Sequence, residues 1–439
     1  MSILPCVLAL TVWTITTASF GQSPVTNKLP LPVPMAVKTN TTVKVTTNTT
    51  PVAATIPAPS AAISNAVSST STAIANAPII IMREPSGLPG ELGLSGKELK
   101  AAQEFFDRGV QMMRDKNFAA AAEAFRKALA ANPYQAESHA NLAVSLTQLG
   151  RQATQQSDQL KQFQDAAEHF SKAAELKPRE RMTYLLWAET LVMIGDLPLD
   201  GNLRLGCYQG ALEKCRKASE IEPQDWEAYS KWAGILSVKL VDFAVNDGVR
   251  LNIFKEAALL YSKAADRAAY SSDLGMIYAN WGTALVRAAR LSGERVDKET
   301  FLHEALDKFD RSTRAVSKSA RTWSLWGSAT LELAKITRTR SDYREGIDRL
   351  NTSLSLSPDD PGTLYNLACG YTQMGNRILA IESLRKCFEL DKSRAYLASA
   401  AQDPDLADLR NDETFRDLLG TYYKYGVPNY NPPLRDTPR

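Results

Sequence analysis

Three histidines and five cysteines are the residues best suited to nucleophilic, acid–base or metal chemistry, and their spacing supports none of it. His139, His169 and His303 fall in three different predicted helices. His139 takes a place that other segments give to Tyr184, Tyr229, Tyr278 and Trp323, so packing is its expected role. Cys207 and Cys215 share one predicted helix, about 12 Å apart along its axis, too far for a disulfide. Cys369 and Cys387 sit on opposing helices, the first expected to face a groove and the second the helix pair. Cys6 lies in an apolar N-terminal run. No Cys-x-x-Cys pair or metal spacing occurs, and no Gly-rich phosphate loop, elbow serine or isolated carboxylate pair stands out. Trp187, Trp226, Trp232, Trp281, Trp323 and Trp326 occupy helical positions expected to pack against neighbouring helices rather than stack on a ligand. The expectation is a protein without catalysis, metal or cofactor.

The elements that must position these residues are short helical hairpins. From Asp359 to Asp391 the chain reads DDPGTLYNLACGYTQMGNRILAIESLRKCFELD. Asp360 suits the N-cap of a first helix and Pro361 its first position, where no backbone N–H is needed. Leu364, Leu367, Ala368 and Tyr371 recur at helical spacing, Gly375 and Asn376 mark a turn, and Ala380, Leu384, Cys387 and Phe388 line a second helix. A hairpin this short cannot bury its apolar face alone and needs copies alongside.

The copies share one pattern: a small residue in the first helix, a small residue in the second, an apolar residue four places on, and another small one three places later. Ala368, Ala380, Leu384 and Cys387 set it. It recurs as Gly109, Ala121, Phe125, Ala128; as Ala143, Ala166, Phe170, Ala173; and as Ala188, Ala211, Cys215, Ala218. It continues as Ala233, Ala257, Tyr261, Ala264, then more weakly as Gly282, Ala305, Phe309, Ser312 and as Gly327, Gly346, Leu350, Ser353. Pro133, Pro178, Pro223 and Pro358 each stand five residues after the last marker, where proline stops a helix. Small residues let two helix backbones touch, and the bulky residue fills the space above them.

Over about residues 98 to 392 the chain resembles the tetratricopeptide-repeat family, most plainly at 364–375 (LYNLACGYTQMG) and 278–282 (YANWG). The resemblance implies an all-α fold, a right-handed superhelical solenoid of seven helix–turn–helix units. The chain departs from the compact unit in its small-to-small spacing, which is 12 in the first and last units but 23, 23, 24, 23 and 19 between. The surplus falls at the turn inside each unit. Residues 151–161 read as polar and helix-compatible, 196–206 as a loop, 241–252 as carrying an Asp247-Gly248 turn, and 290–300 as charged. Insertions at equivalent turns would form a ridge along one edge of the stack.

The resemblance also places a concave face on the first helices. Its candidate partner contacts are Phe106, Val110, Arg114, Val144, Gln148, Leu185, Glu189, Met193, Ser230, Thr283, Arg287, Ser328, Glu332, Tyr365 and Gln373, a moderately apolar set suited to an extended peptide or helix. Co-chaperones of the family clamp a terminal carboxylate with Asn and several Lys/Arg. Here Asn141 fits but Met182 and Leu186 do not; around Asn280, Arg321 fits but Ser230, Gly234 and Leu325 do not. That subtype is not expected.

Residues 1–90 carry four Lys/Arg and one Asp/Glu, which leaves 47 of each beyond them, so no basic stripe for nucleic acid is indicated. Ile3–Trp13 is an apolar run of export-signal length, with small residues through Gly21 for cleavage but no Lys or Arg before Lys28. The expected division is a signal at 1–21, a disordered Thr/Pro/Ala-rich linker at 22–90, the repeat domain with a C-terminal capping segment at 91–425, and a loose tail at 426–439. An uncleaved membrane anchor, the only route to membrane contact, and an organellar segment are the competing readings of the N-terminus. The expected function is an exported scaffold that binds a protein or peptide through the groove, the ridge or both; the alternative is a module for a glycan or other envelope ligand.

Overall fold

The computed structural model describes residues 93–423; the leader, the linker and the tail lie outside the described residues. Sixteen α-helices, one π-helix and two 3₁₀ segments make up the described residues, with no strand among them. Among these residues no helix is long and apolar enough to cross a membrane.

The helices pair as the marker pattern predicts. Unit 1 is α1 (Gly96–Arg114) with α2 (Phe118–Ala131), and unit 2 is α3 (Ala136–Gln152) with α4 (Gln156–Leu176). Unit 3 is α5 (Arg181–Asp196) with α6 (Gly201–Ile221). Unit 4 is α7 (Trp226–Gly234), prolonged by the π-helix Ile235–Leu240 and a 3₁₀ turn Val241–Phe243, with α8 (Asp247–Arg267). Units 5 and 6 are α9 (Leu274–Leu291) with α10 (Arg295–Ala315) and α11 (Ala320–Thr337) with α12 (Arg340–Leu356). Unit 7 is α13 (Pro361–Gln373) with α14 (Arg377–Leu390). Each helix packs on the next in chain order, as a solenoid requires.

Local chemistry fixes the boundaries. Ser95 and Glu98 form a capping box, Ser95 N donating to Glu98 Oε2 at 2.7 Å and Glu98 N to Ser95 Oγ at 3.3 Å. Asp360 accepts from the amides of Gly362 and Thr363 at 3.3 Å, with Pro361 in the first turn. Gly375 turns the chain at φ +77°, a left-handed conformation open to glycine at no steric cost.

The markers form the buried seam. Ala121, Phe125 and Ala128 are 0% exposed, as are Ala305, Phe309 and Leu350. At Gly282 a Cβ would stand 2.8 Å from the Phe309 ring, so only glycine lets the two helices approach this closely.

The surplus residues do not form loops. Residues 201–206 begin α6, and the connections inside units 2 to 5 span only residues 153–155, 197–200, 244–246 and 292–294. The surplus lengthens the helices, giving second helices of 21 residues in units 2 to 5 against 14 in units 1 and 7. Longer helices need more close packing, and a second small–bulky pair supplies it. At Gly150 a Cβ would meet the Phe163 ring at 2.5 Å, and at Gly195 the Tyr208 ring at 2.6 Å. Ala289 and Leu302 are the unit 5 counterpart. The ridge is therefore an edge of extended helix pairs.

After unit 7, α15 (Ala395–Ala400), the 3₁₀ turn Pro404–Leu409 and α16 (Glu413–Tyr423) cover the end of the stack. Leu397, Leu406, Leu409, Phe415, Leu418 and Leu419 bury themselves against α13 and α14, the capping role expected of this segment.

Candidate functional site

The first helices (α1, α3, α5, α7, α9, α11 and α13) stand side by side as one wall. Leu185, Ser230 and Tyr365 do not belong to its open surface, being 1%, 7% and 7% exposed. All three stand three residues before the small marker, where the following segment packs. Leu185 lies in a cluster with Ala174, Tyr184, Ala218 and Ala228. Tyr365 donates to Asp403 of the cap at 2.7 Å, and burial together with that carboxylate drives its phenol pKa upward. In unit 6 the same position is Ser324, which accepts from Thr363 of the next helix at 2.7 Å.

The other candidates stay at least partly open, but three of the four charged ones, Glu189, Arg287 and Glu332, are engaged with neighbouring units. Glu189 accepts from Arg151 at 2.6 Å and lies 3.8 Å from Lys231, joining α3, α5 and α7. Lys239 and Asp196 pair at 2.6 Å across α5 and the prolonged α7. Arg287 donates to the Ser237 carbonyl at 3.0 Å, and Arg290 donates to Glu332 at 2.9 Å. Lys335 pairs with Asp405 of the cap, and Gln373 donates to the Asp405 carbonyl at 3.0 Å. Ser328 accepts from Asn366 at 2.7 Å, and the Thr283 hydroxyl donates within its own helix to Ala279. Phe106 and Val110 lean on the unit 1–2 core with Val144, and Met193 on a separate cluster beneath α5. Arg114 is exposed and Gln148 half-buried. The wall is a ladder whose rungs are ion pairs between units 2 and 3, 3 and 4, and 5 and 6, and hydrogen bonds between units 4 and 5 and between 6 and 7, with apolar and amide side chains between them.

The ladder was missed because its partners stand a repeat apart in the chain: 38 residues for Arg151 and Glu189, 42 for Arg290 and Glu332. Opposite charges one repeat period apart near first-helix C-termini were the available signal.

The tryptophans and histidines resolve into one recurring device. Three residues after the second-helix marker, Lys214, Lys308 and Arg349 lie over the rings of Trp187, Trp281 and Trp326 at 4.2, 4.3 and 4.0 Å from the centroids. These cations are 18%, 12% and 14% exposed, so each contact adds about 1–2 kcal/mol. Core packing is thus the role of the indoles. Unit 2 places His169 at the cation's position and Leu142 at the indole's, and His169 turns to His139, Nδ1 to Nδ1 at 3.0 Å. His139 Nε2 donates to the Pro133 carbonyl at 3.0 Å, just as Tyr184 OH donates to Pro178 at 3.3 Å and Trp323 Nε1 to Ser317 at 3.0 Å. That donation leaves His139 Nδ1 as acceptor and His169 Nδ1–H as donor.

This neutral pair makes stability depend on pH. Burial, then His139 and Lys172, hold His169 down at about 4. Burial also lowers His139; Lys172 lowers both, whereas Glu168 raises both, Glu175 raises His139 and Arg126 lowers His169. A depressed histidine favours the folded state above the unfolded value near 6.5 and loses that advantage as pH falls towards about 4. Between pH 7 and 5 the loss should be about 1 kcal/mol, discounted for partial exposure, a Tm drop of about 2–4 °C. Thermal melts of His169→Leu should show a flatter slope in that window.

The cysteines are inert by location. Cys207, Cys215, Cys369 and Cys387 are buried, and burial pushes the Cys215 thiol up to about 12. Cys369, expected to face the groove, is covered. Among the described residues no group of three or more His, Cys, Asp or Glu is placed to hold a metal.

The tetratricopeptide-repeat family model matches residues 361–394, the span that opens with α13 and α14. No curated protein matches the chain. Among solved structures, a tetratricopeptide repeat protein from Parabacteroides merdae ATCC 43184 is similar at 11% identity and TM-score 0.42, over 74% of this chain and 99% of that one. PilW, a type IV pilus biogenesis factor, is similar at 14% identity and TM-score 0.41, over 61% and 98%. YrrB, a TPR protein with an unusual peptide-binding site, is similar at 19% identity and TM-score 0.37, over 53% and 97%. Residues 361–394 are thus matched directly as a tetratricopeptide repeat, and the same buried seam recurs in the six units before it.

Proposed function

We propose that this protein is a non-catalytic scaffold that binds an extended or helical segment of a partner protein along the first-helix wall. The observation that carries the reading is the wall itself. Ion pairs tie the first helices of units 2 to 3, 3 to 4 and 5 to 6, and the Arg287 hydrogen bond ties unit 5 to unit 4, which preforms a long surface and lowers the ordering cost of binding. Affinity would come from the side chains between the rungs, Val144, Gln148 and Met193 among them, and the edge of extended helix pairs offers a second surface. The apolar run Ile3–Trp13, of export-signal length, supports an exported or envelope compartment.

The test is affinity capture with the mature chain from an extract of its own compartment, repeated with Gln148→Glu plus Met193→Glu and with Arg216→Ala on the exposed face of α6. One dominant protein should be retained, at least about tenfold less by the wall variant and unchanged by the α6 variant. Equal retention by all three chains would remove the wall from consideration and move the site to the helix-pair edge.

A further inference from the structure

Unit 4 differs from its neighbours by one residue. From the first marker to the start of the second helix there are 13 residues in units 2, 3 and 5 (Ala143 to Gln156, Ala188 to Gly201, Gly282 to Arg295) but 14 in unit 4 (Ala233 to Asp247). Each second helix begins 10 residues before its own marker, at Gln156, Gly201, Asp247 and Arg295, so the extra residue lies on the first-helix side. The second small–bulky pair locates it more closely. Its first member stands seven residues after the marker at Gly150, Gly195 and Ala289, and eight after it at Val241, which lies in one core cluster with Phe254. Before the slip the register is normal, since Trp232 stands where Trp187 and Trp281 stand. The extra residue therefore falls between Ala233 and Val241, which is where the helix widens into the π-turns Ile235–Leu240.

A π-turn absorbs one residue without breaking the helix, at the cost of poorer backbone geometry. Val238 is the most exposed apolar side chain of that segment, at 46%. Two groups hold the widened turns. Arg287 of α9 donates to the Ser237 carbonyl at 3.0 Å while lying 5.8 Å from the Phe254 ring centroid. The Ser237 hydroxyl donates to the Ala233 carbonyl at 2.8 Å. Gly234, at the entrance, weakens the ordinary α register further, since glycine is a poor helix former.

We infer that residues 235–240 absorb a one-residue insertion, which makes unit 4 the soft joint of the stack, a helix-register device latched by Arg287, with three units on either side. It opens locally more readily than the matching ends of α5 and α9, and removing one residue heals it.

Hydrogen exchange of the full chain, read on peptides covering 235–246, tests this. The wild-type segment should exchange faster than 190–199 and 284–293. Deleting Val238 should leave the stack folded and slow that segment by at least about tenfold, to the level of its neighbours. Arg287→Met should speed it by about tenfold, the loss of one charge-assisted hydrogen bond, with units 1, 2 and 7 unchanged. Equal wild-type protection in the three segments, a deletion that unfolds the protein or leaves the segment unchanged, or an Arg287→Met effect spread over all units would each overturn the inference.

Discussion

Phe309→Ala is expected to destabilise the stack by about 3–5 kcal/mol, among the largest effects of any single truncation. Phe309 is 0% exposed and fills the space above the Gly282–Ala305 contact. In a repeat protein the loss is shared with neighbours through nearest-neighbour interfaces, so units 4 to 6 should open together while units 1 and 2 keep their protection. Urea titration read alongside hydrogen exchange would show it. The same seam makes a sharper prediction for the glycine. Gly282→Ala puts a methyl 2.8 Å from the phenyl ring and should cost about 1–3 kcal/mol. Combined with Phe309→Leu, which removes the ring that the methyl would meet, it should cost less than the sum of the two single variants. Additivity within about 0.5 kcal/mol would mean that the glycine and the ring are not the matched pair that sets the helix approach.

Leu185→Glu should be nearly as damaging, and for a reason unconnected with binding. The side chain is 1% exposed in an apolar cluster with Ala174, Tyr184, Ala218 and Ala228. Placing a carboxylate there costs several kcal/mol unless it is protonated. The variant should lose its cooperative thermal transition at neutral pH and recover part of it on acidification. A loss of partner binding by this variant would therefore report unfolding. Retained stability with lost binding would instead return Leu185 to the wall. Met193→Glu is the substitution that separates the two effects.

The gap between Leu185 and Met193 shows how far the pattern of residues reaches. Both sit on α5, and counting from Ala188 put both on the same face. That count assumed one helix facing solvent on its inner side. In the stack the next first helix lies over the position three before the marker, and burying Leu185, Ser230 and Tyr365 is the consequence. The charged candidates went the same way: Glu189, Arg287 and Glu332 looked like groove contacts and are instead rungs between units. A repeat seen alone has no neighbour, so reading one repeat at a time could not reveal either effect.

The surplus residues carry the same lesson. Pro198 and Gly201 read locally as a loop, yet Gly201 opens α6 and helix runs on through 206. Local propensity is worth a few tenths of a kcal/mol to about 1 kcal/mol per residue, and a second small–bulky contact at Gly195 and Tyr208 outweighs it.

By itself the amino-acid order determined the seven hairpins, their caps and their seam, because close approach of two helices demands small residues at set intervals and leaves that demand in the chain. The capping segment was legible too, since an open stack must cover its last apolar face. Only the tertiary structure decided which first-helix residues stay open, how the charges pair across units, and that an extra residue in unit 4 becomes a π-turn. Those outcomes depend on contacts between groups some 40 residues apart, whose geometry follows from the angle between neighbouring units and leaves no periodic mark within any one of them.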